Sequence, residues 1–207
     1  MKVGVIVAME SELRSLRDSG VEAYLSGIGK VNAARCATEL ILRHKPDCII
    51  NSGCAGSMRE EISVGDMVIA SRCAWHDVWC GSPNPFGVVE GCPRFFEADR
   101  FLLAKAESLQ LSQAKLFTGL VCSGDQFFVS LEEDNRIRSL YPEVLACDME
   151  SAAIAQVCHH YGVPFLSFRI ISDIHTAVSD QKESYKNFWN TIKTNSFSAL
   201  RQLLDVL

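Results

Sequence analysis

The feature that most constrains this chain is a rhythm in its hydrophobicity. Short, almost continuous apolar runs alternate with segments whose apolar residues recur at helical spacing. A run without polar alternation reads as a strand covered on both faces, and helices between such strands supply the cover. The expected fold class is therefore α/β. Candidate strands are Val3 to Ala8, Glu22 to Ser26, Cys48 to Ser52, Asp66 to Ser71, Leu116 to Cys122, Val144 to Cys147 and Phe165 to Ile171. Between them Val31, Ala34, Leu40 and Ile41 mark one helical face, and Ala153, Ile154, Val157 and Tyr161 another. Beyond Pro164 there is neither glycine nor proline, and Tyr185, Phe188, Trp189, Ile192, Leu200, Leu203, Leu204 and Leu207 keep helical spacing. One long closing helix is expected there.

A chain of 207 residues, 48% of them hydrophobic, is large enough for one core and predicts a single domain over 1–207. The formal charge is -5 and no run of Lys or Arg exceeds two, which argues against nucleic acid as a partner. The apolar stretch from Val3 to Met9 is too short for a signal peptide, and no later window is long and apolar enough to span a bilayer. A cytoplasmic protein without a membrane partner is expected. Nine cysteines include no C-x-x-C pair, so reduced thiols packed as small hydrophobes are expected rather than disulfides or zinc ligands. From His76 to Pro93 neither period holds over about eighteen residues, and a loop of that length is usually functional or covered. Exposed Trp79 and Phe86 would be costly in a monomer, which points to a subunit interface.

The segment Ser26-Gly27-Ile28-Gly29-Lys30 follows a candidate strand and opens a helix, where backbone amides favour an anion or a polar ligand edge. Asn32 stands where a dinucleotide fingerprint has its third glycine, so a tight turn is the simpler reading. Asn51-Ser52-Gly53-Cys54-Ala55-Gly56-Ser57 reads as a second such junction, or equally as a plain turn. Asp173 falls just past the run ending at Ile171, either at the ligand-binding edge of an open sheet or as a helix N-cap. Glu150 lies at another strand-to-helix junction and Glu12 shortly after the first strand, where carboxylates also complement a helix dipole. The histidines show no metal spacing, and no metal is expected. Cys54 has no local feature that marks it as a nucleophile. Phe127 and Phe128 read as core, or as a stacking surface for a flat heterocycle at a cleft mouth.

Seven motifs occur in one order: Ala8-Met9-Glu10-Ser11-Glu12, Ser26 to Lys30, Asn51 to Gly56, Val64-Gly65-Asp66, Ser123-Gly124-Asp125, Asp148-Met149-Glu150 and Ile171-Ser172-Asp173. In these the chain resembles 5'-methylthioadenosine/S-adenosylhomocysteine nucleosidases, within the purine nucleoside phosphorylase superfamily. The resemblance implies a three-layer α/β/α domain with a mixed, partly barrel-like central sheet. It implies a homodimer whose 76–93 loop lies at the interface, with a small-molecule purine nucleoside and water as reactants and no cofactor. By the same resemblance Asp173 is the general acid at the purine, with Ser172 and Arg169 as neighbours, and Glu12 positions or activates the attacking water. Phe127 stacks on the base, the Phe128 main chain reads its edge, and Met149 and Glu150 hold the ribose hydroxyls. Met9, Ile28 and Tyr185 line the pocket for the 5' substituent, and Cys54, Ala55 and Gly56 complete the substrate-binding set.

Such a division of labour suits the chemistry. An N-glycosidic bond breaks through an oxocarbenium-like state, so the departing base needs a proton and the sugar needs an oriented water, as in glycoside hydrolysis by two carboxylates. A carboxylate at Glu12 would also repel phosphate, which favours hydrolysis over phosphorolysis. Three departures stand out. Only about ten residues separate the first helix from Ser26, where the family normally inserts a hairpin; Cys54 replaces the usual serine; Asp148 replaces the usual glutamate. The expected activity is release of adenine from methylthioadenosine or S-adenosylhomocysteine. The alternatives are a futalosine or adenosyl-hopane type nucleosidase, a phosphate-dependent phosphorylase, and a non-catalytic nucleoside-binding relative.

Overall fold

A computed structural model describes residues 1–112, 114–127, 130–174 and 198–207. Its elements are β1 (Val3–Val7), α1 (Glu10–Asp18), β2 (Tyr24–Leu25), α2 (Lys30–His44), β3 (Cys48–Ser57), β4 (Met67–Trp75) and β5 (Phe96–Glu97), followed by α3 (Arg100–Glu107), β6 (Leu116–Ser123), α4 (Leu131–Leu140), β7 (Val144–Asp148), α5 (Ser151–Tyr161), β8 (Phe165–Ile174) and α6 (Ser198–Asp205).

The strands form one mixed sheet, and five of them close on themselves. β3 pairs with β8, β8 with β4, β4 with β6, β6 with β7, and β7 returns to β3. β1 and β2 extend the sheet from β3, and β5 adds to the outer edge of β4. β3 serves both parts because of its length. Its first residues, Cys48 to Asn51, pair with β1, whereas Gly56 and Ser57 at its far end pair with β7.

Alternation along β1 and β3 sorts side chains into two apolar layers. Ile6 and Ile49 pack with Ala33, Ala37 and Leu40 of α2 and with Ile154 of α5. Val5, Val7, Cys48 and Ile50 face the other way, onto Leu13 and Leu16 of α1 and Leu200 and Leu203 of α6. A third cluster of Met58, Leu120, Ile137, Tyr141 and Val144 joins the ring to α4. Each Val, Leu, Ile or Met side chain among these taken fully out of water stabilises the fold by about 1.5–3 kcal/mol.

All seven expected strands are present, with different ends. The Cys48 strand runs through Gly53, Ala55 and Gly56 to Ser57, so this second Gly-rich segment is neither a turn nor a helix opening. Its ladder to β8 carries it past the small residues. β8 likewise continues to Ile174, which puts Asp173 inside a strand and removes the helix-cap reading. On α2 the buried face is Ala33, Cys36, Ala37, Leu40 and Ile41, while Val31 is 79% exposed. Tyr161 of α5 is also exposed. In the irregular stretch after β4, Trp79 stands 63% exposed, but Phe86 is half-buried beneath the Arg136 guanidinium. Of the expected C-terminal helix, Tyr185, Phe188, Trp189 and Ile192 lie outside the described residues; among the described residues the C-terminal helix is α6, Ser198–Asp205. No described helix is long and apolar enough to cross a membrane.

Candidate active site

A cavity of about 300 Å³ opens where β1, β3, β7 and β8 end. Its lining comes from the last residues of β3, β7 and β8 and from the segments that follow β1 and β7, where the chain leaves the packed layers and polar groups can face a ligand.

Glu12 lies in the first turn of α1, immediately after β1. Its Oε2 accepts the Ala8 and Met9 amides, both at 2.9 Å, and its Oε1 accepts the Cys54 amide at 3.1 Å. The carboxylate is thus fixed on both oxygens while only 1% exposed. Burial pushes its carboxyl above the ordinary glutamate value, and Arg169 and the three amides pull against that. Gly53 makes the approach possible: a Cβ there would sit 2.6 Å from Glu12 Oε1 and 2.7 Å from Arg169 Nη1.

Glu150 follows β7 as the N-cap residue of α5. Its Oε1 accepts the Gly29 amide at 2.9 Å, and its Oε2 lies 3.7 Å from Arg169 Nη2. Burial pushes this carboxyl up to about 7, Arg169 opposes the shift, and Asp148 adds to it.

Arg169 is the charge around which this side of the cavity is organised. It is fully buried in β8 beside Gly53 and pairs with Asp148 at 2.7 Å. Asn51 and Ser151 accept from the same guanidinium. Burial acts to lower its ionisation, but Asp148, Glu150 and Glu12 outweigh that and hold the group charged. Burial is the main reason that Glu12 and Glu150 hold protons more readily than free glutamates, and the one guanidinium only partly offsets it. Asp148 also accepts from the Ser123 and Ser151 hydroxyls and the Ser151 amide, so it anchors the start of α5 as well.

Asp173 stands across the cavity. Its Oδ1 accepts the Ser172 hydroxyl at 2.6 Å, and the Ala55 carbonyl lies 3.3 Å from the same Oγ. Neighbours in a strand ordinarily point to opposite faces, yet Ser172 and Asp173 both line the cavity. A β-bulge explains this: Ala55 pairs with Ile171 and Gly56 with Asp173, which leaves Ser172 as the extra residue.

The structure therefore brings Glu12, Glu150 and Asp173 to one cavity from three separate regions of the chain. Met9, Ile28, Cys54, Ala55, Gly56, Phe127, Met149 and Ser172 line it too. Ile28 and Phe127, 52% and 43% exposed, sit at its mouth. Arg169 lies behind the wall rather than on it, paired with Asp148 and facing Glu150. Phe128 and Tyr185 fall outside the described residues. Asp148, Cys147, Gln126 and Ala8 line the cavity without having been singled out from sequence as site residues. Asp148 had a signal, since it ends an apolar strand and immediately precedes a helix start.

A sequence profile described as the Phosphorylase superfamily matches residues 19–205. The 5'-methylthioadenosine/S-adenosylhomocysteine nucleosidase of Bacillus thuringiensis (strain Al Hakam) is 36% identical over 232 alignment positions that span all of both chains. The chain belongs to this nucleosidase family. The alignment is longer than the 207 residues here, so that member of the family carries positions this chain lacks. The nucleosidase of Neisseria meningitidis, solved in complex with methylthio-immucillin-A, superposes with a TM-score of 0.90 at 34% identity and 99% coverage of each chain. A futalosine hydrolase of Helicobacter pylori superposes at 0.91, with 27% identity, over 100% of this chain and 98% of its own. The barrel-like ring is thus an architecture shared with a nucleosidase of the family and with a hydrolase named for another substrate.

Proposed function

We propose that this protein is an N-glycosyl hydrolase that releases adenine from 5'-methylthioadenosine, S-adenosylhomocysteine or both. The observation that carries the reading is the convergence of Glu12, Glu150 and Asp173 on one cavity whose mouth bears Phe127.

In this reading the base stacks on Phe127, and Met149 and Glu150 hold the ribose hydroxyls. Ser172 orients Asp173 through their hydrogen bond. Asp173 delivers a proton to a purine ring nitrogen as the C1'–N9 bond breaks, and the bonding electrons leave with the neutral base. Glu12 sits where its fixed carboxylate can orient a water on the other side of the sugar and take its proton as the new C1'–O bond forms. Positioned proton transfer accelerates such a step by roughly 10²- to 10⁴-fold, and the remainder comes from orientation and electrostatics. Arg169 keeps Glu12 and Glu150 in place from behind. Phe128 and Tyr185 complete the base and 5' subsites by the family resemblance.

Free-base release measured with and without phosphate tests the reading: adenine released at the same rate without phosphate is expected, and strict phosphate dependence overturns it. The superposition on a futalosine hydrolase favours a second reading, hydrolysis of a nucleoside with a different 5' group. A panel of adenine and inosine nucleosides differing in the 5' substituent separates the two.

The chain is further read as one cytoplasmic unit that works as a homodimer through the 76–93 segment. Exposed Val31 and Trp79 support this, as does an open cleft of about 770 Å³ lined by Val31, Val78, Val89 and Val157. Sedimentation at micromolar protein, expected to give twice the chain mass, tests it.

A further inference from the structure

Helix α2 starts without a cap of its own. Gly29 is its N-cap residue, no side chain of the helix accepts there, and its first turn has no acidic residue. Two carboxylates from distant parts of the chain fill the place. Glu150 Oε1 takes the Gly29 amide at 2.9 Å, and Asp125 Oδ1 takes the next amide, that of Lys30, at 2.8 Å. Both amides are orphan donors at the positive end of a 15-residue helix, so each draws an anion to it.

Asp125 is tied a second time. The Lys30 ammonium lies 2.7 Å from Asp77 Oδ2 and 3.9 Å from Asp125 Oδ2, and the Asp125 amide donates to the same Asp77 oxygen at 2.9 Å. Three segments meet in this cluster: the Ser26–Lys30 turn bearing Ile28, the start of the segment after β4, and the Asp125–Phe127 stretch after β6. Gly29 is required for the closeness, since with φ at +93° a Cβ would fall 2.9 Å from Asp125 Oδ1.

We infer that Lys30, Asp77 and Asp125 form a clasp that positions Phe127 and Glu150 for substrate. The cluster touches neither the cavity nor the reacting atoms; it acts through its neighbours. Gln126 and Phe127, next to Asp125, form part of the cavity wall. Gly29, next to Lys30, holds Glu150. Releasing Asp125 therefore frees the base-stacking residue and shifts the amide that orients the ribose-binding carboxylate. Binding must then supply the ordering that the clasp supplies in the free protein.

The inference rests on the nucleosidase reading for its roles but is tested by binding as well as turnover. In Asp125→Ala, KM for 5'-methylthioadenosine and the calorimetric Kd for adenine are expected to rise about tenfold, equal to about 1.4 kcal/mol, with a much smaller change in kcat. Asp125→Asn keeps an oxygen for the Lys30 amide and is expected to recover most of that loss. Lys30→Ala alone is expected to weaken binding, and Lys30→Ala with Asp125→Ala to bind no worse than Asp125→Ala, because both break one coupled unit. Unchanged KM and Kd in Asp125→Ala overturn the clasp. So does an equal loss in Asp125→Asn, or a lowered melting temperature with unaltered binding by the folded protein. Wild-type protein that binds adenine yet releases none overturns the nucleosidase reading instead, while the adenine Kd series still decides the clasp.

Discussion

The inner wall of the cavity and its mouth are held by different means. Behind the wall, Arg169, Asn51 and Ser151 are buried and joined by charge-assisted hydrogen bonds, with Asp148, Glu12 and Glu150 at the cavity face of the same network. At the mouth, Ile28 and Phe127 are substantially exposed, and the contacts nearest them pass through Lys30, Asp77 and Asp125, which water reaches. Low dielectric makes a charge in the first region costly to disturb, whereas a solvated ion pair contributes little on its own. The chemistry is thereby placed on a buried, tightly bonded wall and recognition of the base on a surface that can yield.

That contrast can be broken most sharply at the acid. Asp173→Asn is expected to lower kcat by roughly 10²- to 10⁴-fold while adenine or substrate-analogue binding by calorimetry stays near wild type. Equal turnover in the variant would remove Asp173 from its role. Next in size is Arg169→Met, which leaves three buried carboxylates facing one another without their cation. A loss of about 3–5 kcal/mol in denaturant unfolding is expected, against little change for Arg35→Ala in the exposed Arg35–Glu39 pair.

The third test is pH. With the Glu150 carboxyl at about 7, kcat/KM of the free enzyme is expected to fall about tenfold per unit below that point, as the ribose-binding carboxylate takes up a proton. Glu150→Gln should be slow and should lose that limb. Stability runs the other way. The folded state holds this proton more tightly than the unfolded chain, whose ordinary value is 4.5, so the contribution is complete below 4.5 and is lost as pH rises through about 7. Smallest is Phe127→Ala, for which loss of a stacked ring worth about 1 kcal/mol should raise KM roughly fivefold and leave kcat nearly unchanged. A collapse of kcat there would erase the distinction between wall and mouth.

Much of the frame was legible because β1, β3, β6, β7 and β8 are apolar runs whose burial needs no knowledge of their partners. Other elements left fainter marks. β5 has only two residues, too few for a period. α3 and α4 have weak apolar faces, yet each announces its start: Asp99 accepts the Phe101 and Leu102 amides, and Ser130 accepts the Glu133 amide in an S-x-x-E pattern. Val31 sits on the exposed side of α2, because a sparse set of apolar residues is compatible with more than one rotation of the helix. Cys54 and Gly56 read as turn residues, since a strand accepts small residues in its interior only where neighbours on both sides sustain the ladder.

Local periodicity and the ordered motifs were enough to settle the class of fold, the family and the three acidic residues worth watching. These depend on residues close in sequence, whose spacing is itself the physical signal. Closure of five strands into a ring, the bulge that turns Ser172 and Asp173 to one side, and the crowding of Glu12, Asp148 and Glu150 around Arg169 arose only in three dimensions. Each depends on pairing between segments far apart in the chain, and a buried charge acquires its energy from what surrounds it.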